Sequence, residues 1–153
     1  MLVTNHVLSG AVIGAAVRRP VPAFALGVAS HFALDATPHW GEFGGGRGYL
    51  KVAVPDGLVG LAVMGTMTAL APRGSRLPVL AGMAGAALPD LDKPSKLFFG
   101  RSPFPLAVDD FHKRIQRHEG PRRAHYEATA AVIFGSLAIA LLRRRGRRRA
   151  TAQ

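Results

Sequence analysis

The stretch Val52-Ala-Val-Pro-Asp56-Gly-Leu-Val-Gly-Leu-Ala-Val-Met-Gly-Thr-Met-Thr-Ala-Leu-Ala71 decides the fold. It is a twenty-residue apolar run with one charge, Asp56, and an apolar helix of that length crosses a bilayer. A carboxylate inside such a span is costly, so Asp56 calls for a partner or a role. Outward from this segment, four more apolar runs read as helices: Val3–Val17, Val21–Ala36, Leu77–Leu88 and Ala124–Leu142. Thr4 and Asn5 are candidate caps for the first, and Pro22 is tolerated in the opening turn of the second. Gly10-x-x-x-Gly14 and the Gly82 to Ala87 run offer faces on which helix backbones approach closely. The first, second and fourth helices fall short of a full span and are expected to be covered partly by the others.

The expected architecture is all-α: a compact integral-membrane bundle of about five helices in one domain, residues 1–142, followed by a basic cytoplasmic tail, residues 143–153. An additional interfacial helix is expected around Val108–His118, with Asp109 and Asp110 capping it. Pro38 to Gly48 is glycine-rich and reads as a loop, without the strand and Lys-Ser/Thr that a nucleotide-binding loop needs. Trp40, Tyr49 and Tyr126 read as interface anchors.

Composition agrees with a membrane class. The 153-residue chain carries a net charge of +11 yet has a positive mean hydropathy, +0.17. Basic and apolar residues are segregated in blocks, which suits a membrane protein with basic turns better than a nucleic-acid binder. The Arg143–Arg149 run reads as a stop-transfer segment facing anionic lipid, with recruitment of partners through the tail as a weaker reading. The first apolar run lacks a basic leader and reads as retained. With no cysteine, disulfides and thiolate zinc sites are excluded, so any metal must be held by His and carboxylate.

Such ligands are concentrated in Ser30-His31-Phe32-Ala33-Leu34-Asp35-Ala36-Thr37-Pro38-His39-Trp40. His31 and Asp35 are four apart and share a helix face, and His39 follows just past the point where Pro38 ends the helix. Threading the helices antiparallel puts the turns at Arg18/Arg19 and Arg73/Arg76 at one end, together with the arginine tail. The histidines and carboxylates all fall at the other end: His6, His31, Asp35, His39, Asp56, Asp90, Asp92, His112, His118, His125 and Glu127 among them. Neutral imidazoles and ionised carboxylates gathered there suit a divalent metal, with Zn²⁺ the best fit and Mn²⁺ or Mg²⁺ the alternatives. His112 and His118 read more simply as interfacial residues of a basic segment, and His125 and Glu127 as headgroup-level residues.

Asn5-His6 with Gly10, His31-Phe-x-Leu-Asp35-x-x-Pro-His39-Trp40 and Leu88-Pro-Asp90-Leu-Asp92 resemble the small bacterial inner-membrane metal-dependent hydrolases. That grouping includes the LexA-regulated inner-membrane hydrolase family and is distantly similar to zinc-dependent phospholipase C. The resemblance implies a helical membrane protein with a metal held by His6, His31, Asp35, Asp90 and Asp92. Asp56 or His39 would be a further ligand or the general base, and the substrate a phosphoester or lipid-like molecule with an anionic headgroup. That family's His-Arg-Gly-x-Thr-His-Ser segment is absent here, Phe111-His112-Lys113-Arg114 and His118-Glu119-Gly120 standing nearest to it. The alternative expectation is a non-catalytic membrane protein with a structural polar or metal-binding cluster. No specific nucleic-acid partner is expected; membrane lipids are. Ten Lys/Arg lie at each end, but those of the arginine end sit in short segments, which places the tail in the cytoplasm and the site outside.

Overall fold

The computed structural model describes residues 1–41, 46–116 and 118–150. The described chain is all-helical apart from one two-residue bridge: α1 (Val3–Val17), α2 (Pro20–Asp35), α3 (Gly46–Leu70), α4 (Arg76–Ala87), α5 (Asp92–Phe99), α6 (Leu106–Ile115) and α7 (Ala124–Ala150). Within the expected Pro38–Gly48 loop, residues 42–45 lie outside the described residues, as do residues 151–153 of the tail. α3 already begins at Gly46 and continues through Pro55. The tail is not a separate segment: α7 runs through the arginines to Ala150, because arginine is a good helix former and only Gly146 interrupts it. Residues 92–99, which were not expected to be regular, form α5.

α1 and α4 lie at the centre, with α2, α3 and α7 packed around them. Their contact is set by glycine. A Cβ added at Gly10 would stand 2.7 Å from Met83 Cα, and one at Gly27 would stand 2.9 Å from the Ala86 nitrogen. Only residues without a Cβ let three backbones meet this closely, the close approach that Gly10, Gly14 and Gly82 promised. The core is correspondingly small in side-chain volume: Val7, Leu8, Ala11, Ala15, Met67, Ala71, Val79, Met83, Ala138 and Leu142.

Many of the large apolar side chains lie on the outside. Two helices are long and apolar enough to cross a membrane, Gly48–Leu70 and Ala124–Arg147, and little of either is buried. Leu58, Leu61 and Leu70 of α3 and Val132 of α7 are each more than three-fifths exposed. At the far end Arg145 reaches Ser75 Oγ (3.1 Å) and the Ala16 carbonyl (3.2 Å), joining the tail to the two short basic turns as the threading required.

Neither Thr4 nor Asn5 caps α1. The N-cap residue is Leu2, which offers no side-chain hydrogen bond. The exposed amides are instead met from other helices: Asp56 accepts from the Val3 (2.7 Å) and Thr4 (3.2 Å) amides, and Glu127 accepts from the Leu2 amide (3.1 Å). These carboxylates satisfy donors that a helix start leaves unpaired. Asp109 and Asp110 likewise do not cap α6, whose N-cap is Pro105.

Two outcomes follow. Gly82→Leu should drive a side chain into the Gly10 carbonyl and lower stability by roughly 3 kcal/mol or more, since overpacking against rigid backbone leaves no soft response. Asp56→Ala should cost about 1–2 kcal/mol, the range for a lost helix cap. Both are read from unfolding midpoints of the purified protein.

Candidate metal centre

The C-terminal turn of α2 presents His31 and Asp35 on one face, both fully buried. α4 ends beside it in a 3₁₀ turn, Leu88–Leu91, that carries Asp90, and α6 lays His112 over the top. His31, Asp35, Asp90 and His112 each offer a donor atom, and those four atoms lie within 4.8 Å of one another. A group so placed could hold a metal ion.

The pairwise distances sharpen that statement. His31 Nε2 lies 3.0 Å from His112 Nε2 and 3.2 Å from Asp35 Oδ2. His112 Nε2 is 2.8 Å from Asp35 Oδ2, and Asp90 Oδ1 is 3.7 Å and 3.8 Å from the two imidazoles. Ligands about 2.0 Å from a tetrahedral ion stand about 3.3 Å apart, and the observed separations straddle that value.

Proton placement points the same way. His31 Nδ1–H donates to the Ala86 carbonyl at 2.8 Å, which leaves Nε2 with a lone pair in the neutral ring. That lone pair faces a carboxylate oxygen at 3.2 Å. Two acceptors so placed repel unless a proton or a cation lies between them. Gln116 Nε2 donates to the same oxygen at 2.9 Å, and His112 Nε2, 2.8 Å from it, donates there as the Nε2–H tautomer and offers a metal its lone pair as the Nδ1–H tautomer.

His6 stands one step back. Its Nε2 meets the other oxygen of Asp35, Oδ1, at 3.0 Å, beside the Met1 amino group at 2.7 Å. Its ring stacks on His31 with centroids 3.9 Å apart, and its Nδ1 is buried without a hydrogen-bond partner. In this arrangement His6 orients the carboxylate, and the structure does not place it among the four converging donors.

Asp90 is held ionised. Burial pushes its carboxyl upward, but the Lys93 ammonium, with His31 and His6, outweighs burial and brings it down to about 2. Lys93, one turn on, pairs directly with Asp90 Oδ1. Burial alone would lower the Lys93 pKa; the Asp90 carboxylate raises it well above the ordinary lysine value.

Three expected residues are placed elsewhere. Asp92 turns away to Lys96 Nζ at 2.7 Å, because residues two apart on a helical turn point to different sides. Asp56 is taken up with the start of α1. His39 is fully buried but lies past the end of α2, where Nδ1–H donates to the Thr37 carbonyl (2.7 Å) and Nε2 faces Glu119 Oε1 (3.4 Å). A parallel bridge, His39 with Glu119 and Trp40 with Gly120, holds that pair. His118 and His125 are exposed.

Two residues exceed their expected weight. His112 belongs to the centre rather than to the interface. Asp109 and His112 of α6 and Gln116, which ends it, fall at i, i+3 and i+7 in one polar stripe, and that spacing is the signal that could have found it. Glu127, expected at headgroup level, is buried and takes the Leu2 amide, the Trp40 amide (3.1 Å) and Asn5 Nδ2 (2.6 Å).

Because the Asp90 pKa is depressed from 3.8 to about 2, its ion pair contributes stability above pH 4 that is lost as pH falls through 2. The contribution is about 2 kcal/mol. Asp90→Asn should flatten the acid limb of the stability–pH profile by that amount, measured by denaturant unfolding between pH 5 and about pH 2. No family model, no curated protein and no solved structure matches the chain, so the use of this centre is argued from its own residues.

Proposed function

We propose that the chain is an integral protein of a bacterial cytoplasmic membrane and a metal-dependent hydrolase of phosphoester or lipid-like substrates. The observation that carries the metal half is the convergence of His31, Asp35, Asp90 and His112 within 4.8 Å, with His31 Nε2 directed at Asp35 Oδ2. Zinc fits the two-imidazole, two-carboxylate set best. The membrane half rests on polarity: the protein buries Ala, Gly, His and Asp and exposes Leu, Val and Phe, the reverse of a water-soluble fold. In this reading α3 and α7 span the bilayer, α6 is the interfacial helix, the arginine tail faces the cytoplasm and the centre lies on the opposite side.

A divalent ion held here would supply Lewis acidity toward a phosphoryl oxygen and toward water. His31, Asp35, Asp90 and His112 would hold it, and His6 and Gln116 would orient Asp35. Lys93, a third exposed beside Asp90, would give an anionic phosphoryl group a cationic neighbour. Neither expected general base is free for the role: Asp56 is committed to α1, and His39 has Nδ1 on the Thr37 carbonyl and Nε2 facing Glu119. The motifs at residues 5–10, 31–40 and 88–92 support the same reading through their likeness to the inner-membrane hydrolases.

One feature favours a non-catalytic centre. Four buried protein donors fill a tetrahedral zinc ion, as structural sites do, whereas catalytic sites keep a position open. Metal analysis and turnover separate the two. Wild-type protein in detergent should hold zinc stoichiometrically and hydrolyse p-nitrophenyl phosphate or a short-chain phosphatidylcholine; His31→Ala and His112→Ala should lose both. Metal without turnover in the wild type selects the structural reading. Equal metal in all three proteins overturns the centre.

A further inference from the structure

α6 is built inside out. Its buried residues are Asp109 and His112, while Leu106 is 80 % exposed and Val108 and Phe111 are partly exposed. α5 buries no residue, and its Leu97, Phe98 and Phe99 are half to three-quarters exposed. The two helices are joined by polar contacts: Lys96 Nζ to Asp109 Oδ2 (3.1 Å) and Ser102 Oγ to Asp109 Oδ1 (2.9 Å). Toward the bundle α6 gives His112, Gln116 and an edge contact of Phe111 on Phe32, centroids 5.2 Å apart. Among the described residues nothing covers these side chains, and exposed large apolar residues grouped in this way mark an interaction site.

The charges around that face name its occupant. Arg101 in the connection and Lys113 and Arg114 on α6 are exposed, and outnumber the exposed Asp110, while Lys96 of α5 is paired with Asp92 and Asp109. Apolar residues flanked by long basic side chains fit the headgroup–acyl boundary of an anionic leaflet, where stems lie along the acyl surface and charged heads meet phosphate. The face also shares its exposed apolar character with α3 and α7, so one bilayer would serve all three.

We infer that α5 and α6 form a lipid-docking hairpin for an anionic leaflet, and that docking holds His112 in the metal centre. The inference rests on the membrane reading above. It adds that the leaflet's composition sets how tightly the centre holds its ion, because His112 and Gln116 reach Asp35 from a hairpin that the bundle itself grips only weakly. Lys93 at the start of the hairpin and His112 near its end both touch the centre, so the centre lies at headgroup depth.

The chain has no cysteine, so single cysteines can carry spin labels without background. Full-length protein is placed in nanodiscs of phosphatidylcholine with or without phosphatidylglycerol. Labels at Phe99→Cys and Leu106→Cys test the hairpin; labels at Val59→Cys and Ile133→Cys test the spans. With phosphatidylglycerol present, the hairpin labels should collide with oxygen several-fold more than with a water-soluble nickel chelate, and zinc should bind several-fold tighter than in phosphatidylcholine alone. Hairpin labels open to the nickel chelate while the span labels stay in lipid overturn this inference and leave the membrane reading intact. Span labels open to the chelate overturn that reading itself. Hairpin labels shielded from both reagents mean that a second copy or another protein covers the face, which also overturns the lipid assignment. Zinc affinity indifferent to phosphatidylglycerol overturns the coupling.

Discussion

The Asp35 carboxylate is the group the rest of this structure has to accommodate. It is fully buried, and an uncompensated buried carboxylate would cost more than a domain's whole net stability. Its two oxygens are therefore met from four directions: His6 on α1 and the Met1 amino group at Oδ1, and His112 and Gln116 from α6 at Oδ2. None of these partners is near Asp35 in sequence. Bringing His6 within 3.0 Å requires α1 and α2 to close together, and they do so by sharing α4, whose Gly82 meets the backbone at both Gly10 and Gly27. The glycine contacts and the buried carboxylate are thus two halves of one constraint. Close backbones give Asp35 its partners, and the partners make its burial tolerable.

The remaining acids divide between two tasks according to what each element leaves unsatisfied. α1 starts without a side-chain cap, and Asp56 from α3 and Glu127 from α7 supply it. That arrangement pins the first turn of α1 between two long helices and so places His6 three residues later. Asp92 and Asp109 share Lys96 and stitch α5 to α6. Among the described residues only Asp90 joins Asp35 at the centre. The partner that an acid inside an apolar span calls for is, at Asp56, the start of α1: the carboxylate caps that helix in trans, which meets its cost by a structural route.

Much of the helical framework was legible because it depends on local signals. The bounds of α1 match to the residue and those of α2 and α4 to within one, since prolines, arginine turns and apolar runs mark them. The pairing of His31 with Asp35 followed from four-residue spacing alone. What stayed hidden depends on which face of a helix meets which neighbour. Asp90 and Asp92 look equivalent in Leu88-Pro-Asp-Leu-Asp, and only the 3₁₀ turn decides that Asp90 faces in. His112 looked interfacial because its neighbours are basic and aromatic; its inward direction comes from Asp109 and Gln116 on the same stripe. The α7 boundary was missed because a charge run was read as a stop, although arginine does not end a helix.

The same geometry at His31 bears on what the centre is for. A proton on His31 Nε2 would satisfy the contact with Asp35, turning an acceptor–acceptor clash into an ion pair. It would serve one line at a time, however, and leave His112 and Asp90 at 3.0–3.8 Å with no common partner. An ion set among the four donors serves all of these lines at once, at separations close to those tetrahedral coordination asks for. The enclosure by Gly, Ala and imidazole keeps the local dielectric low, which strengthens each of these interactions and makes an empty charge site more costly. If the centre holds a cation in a membrane as proposed, the close helix packing and the inside-out α6 would answer one requirement: converging donors held by elements whose outer faces lie in an apolar surrounding.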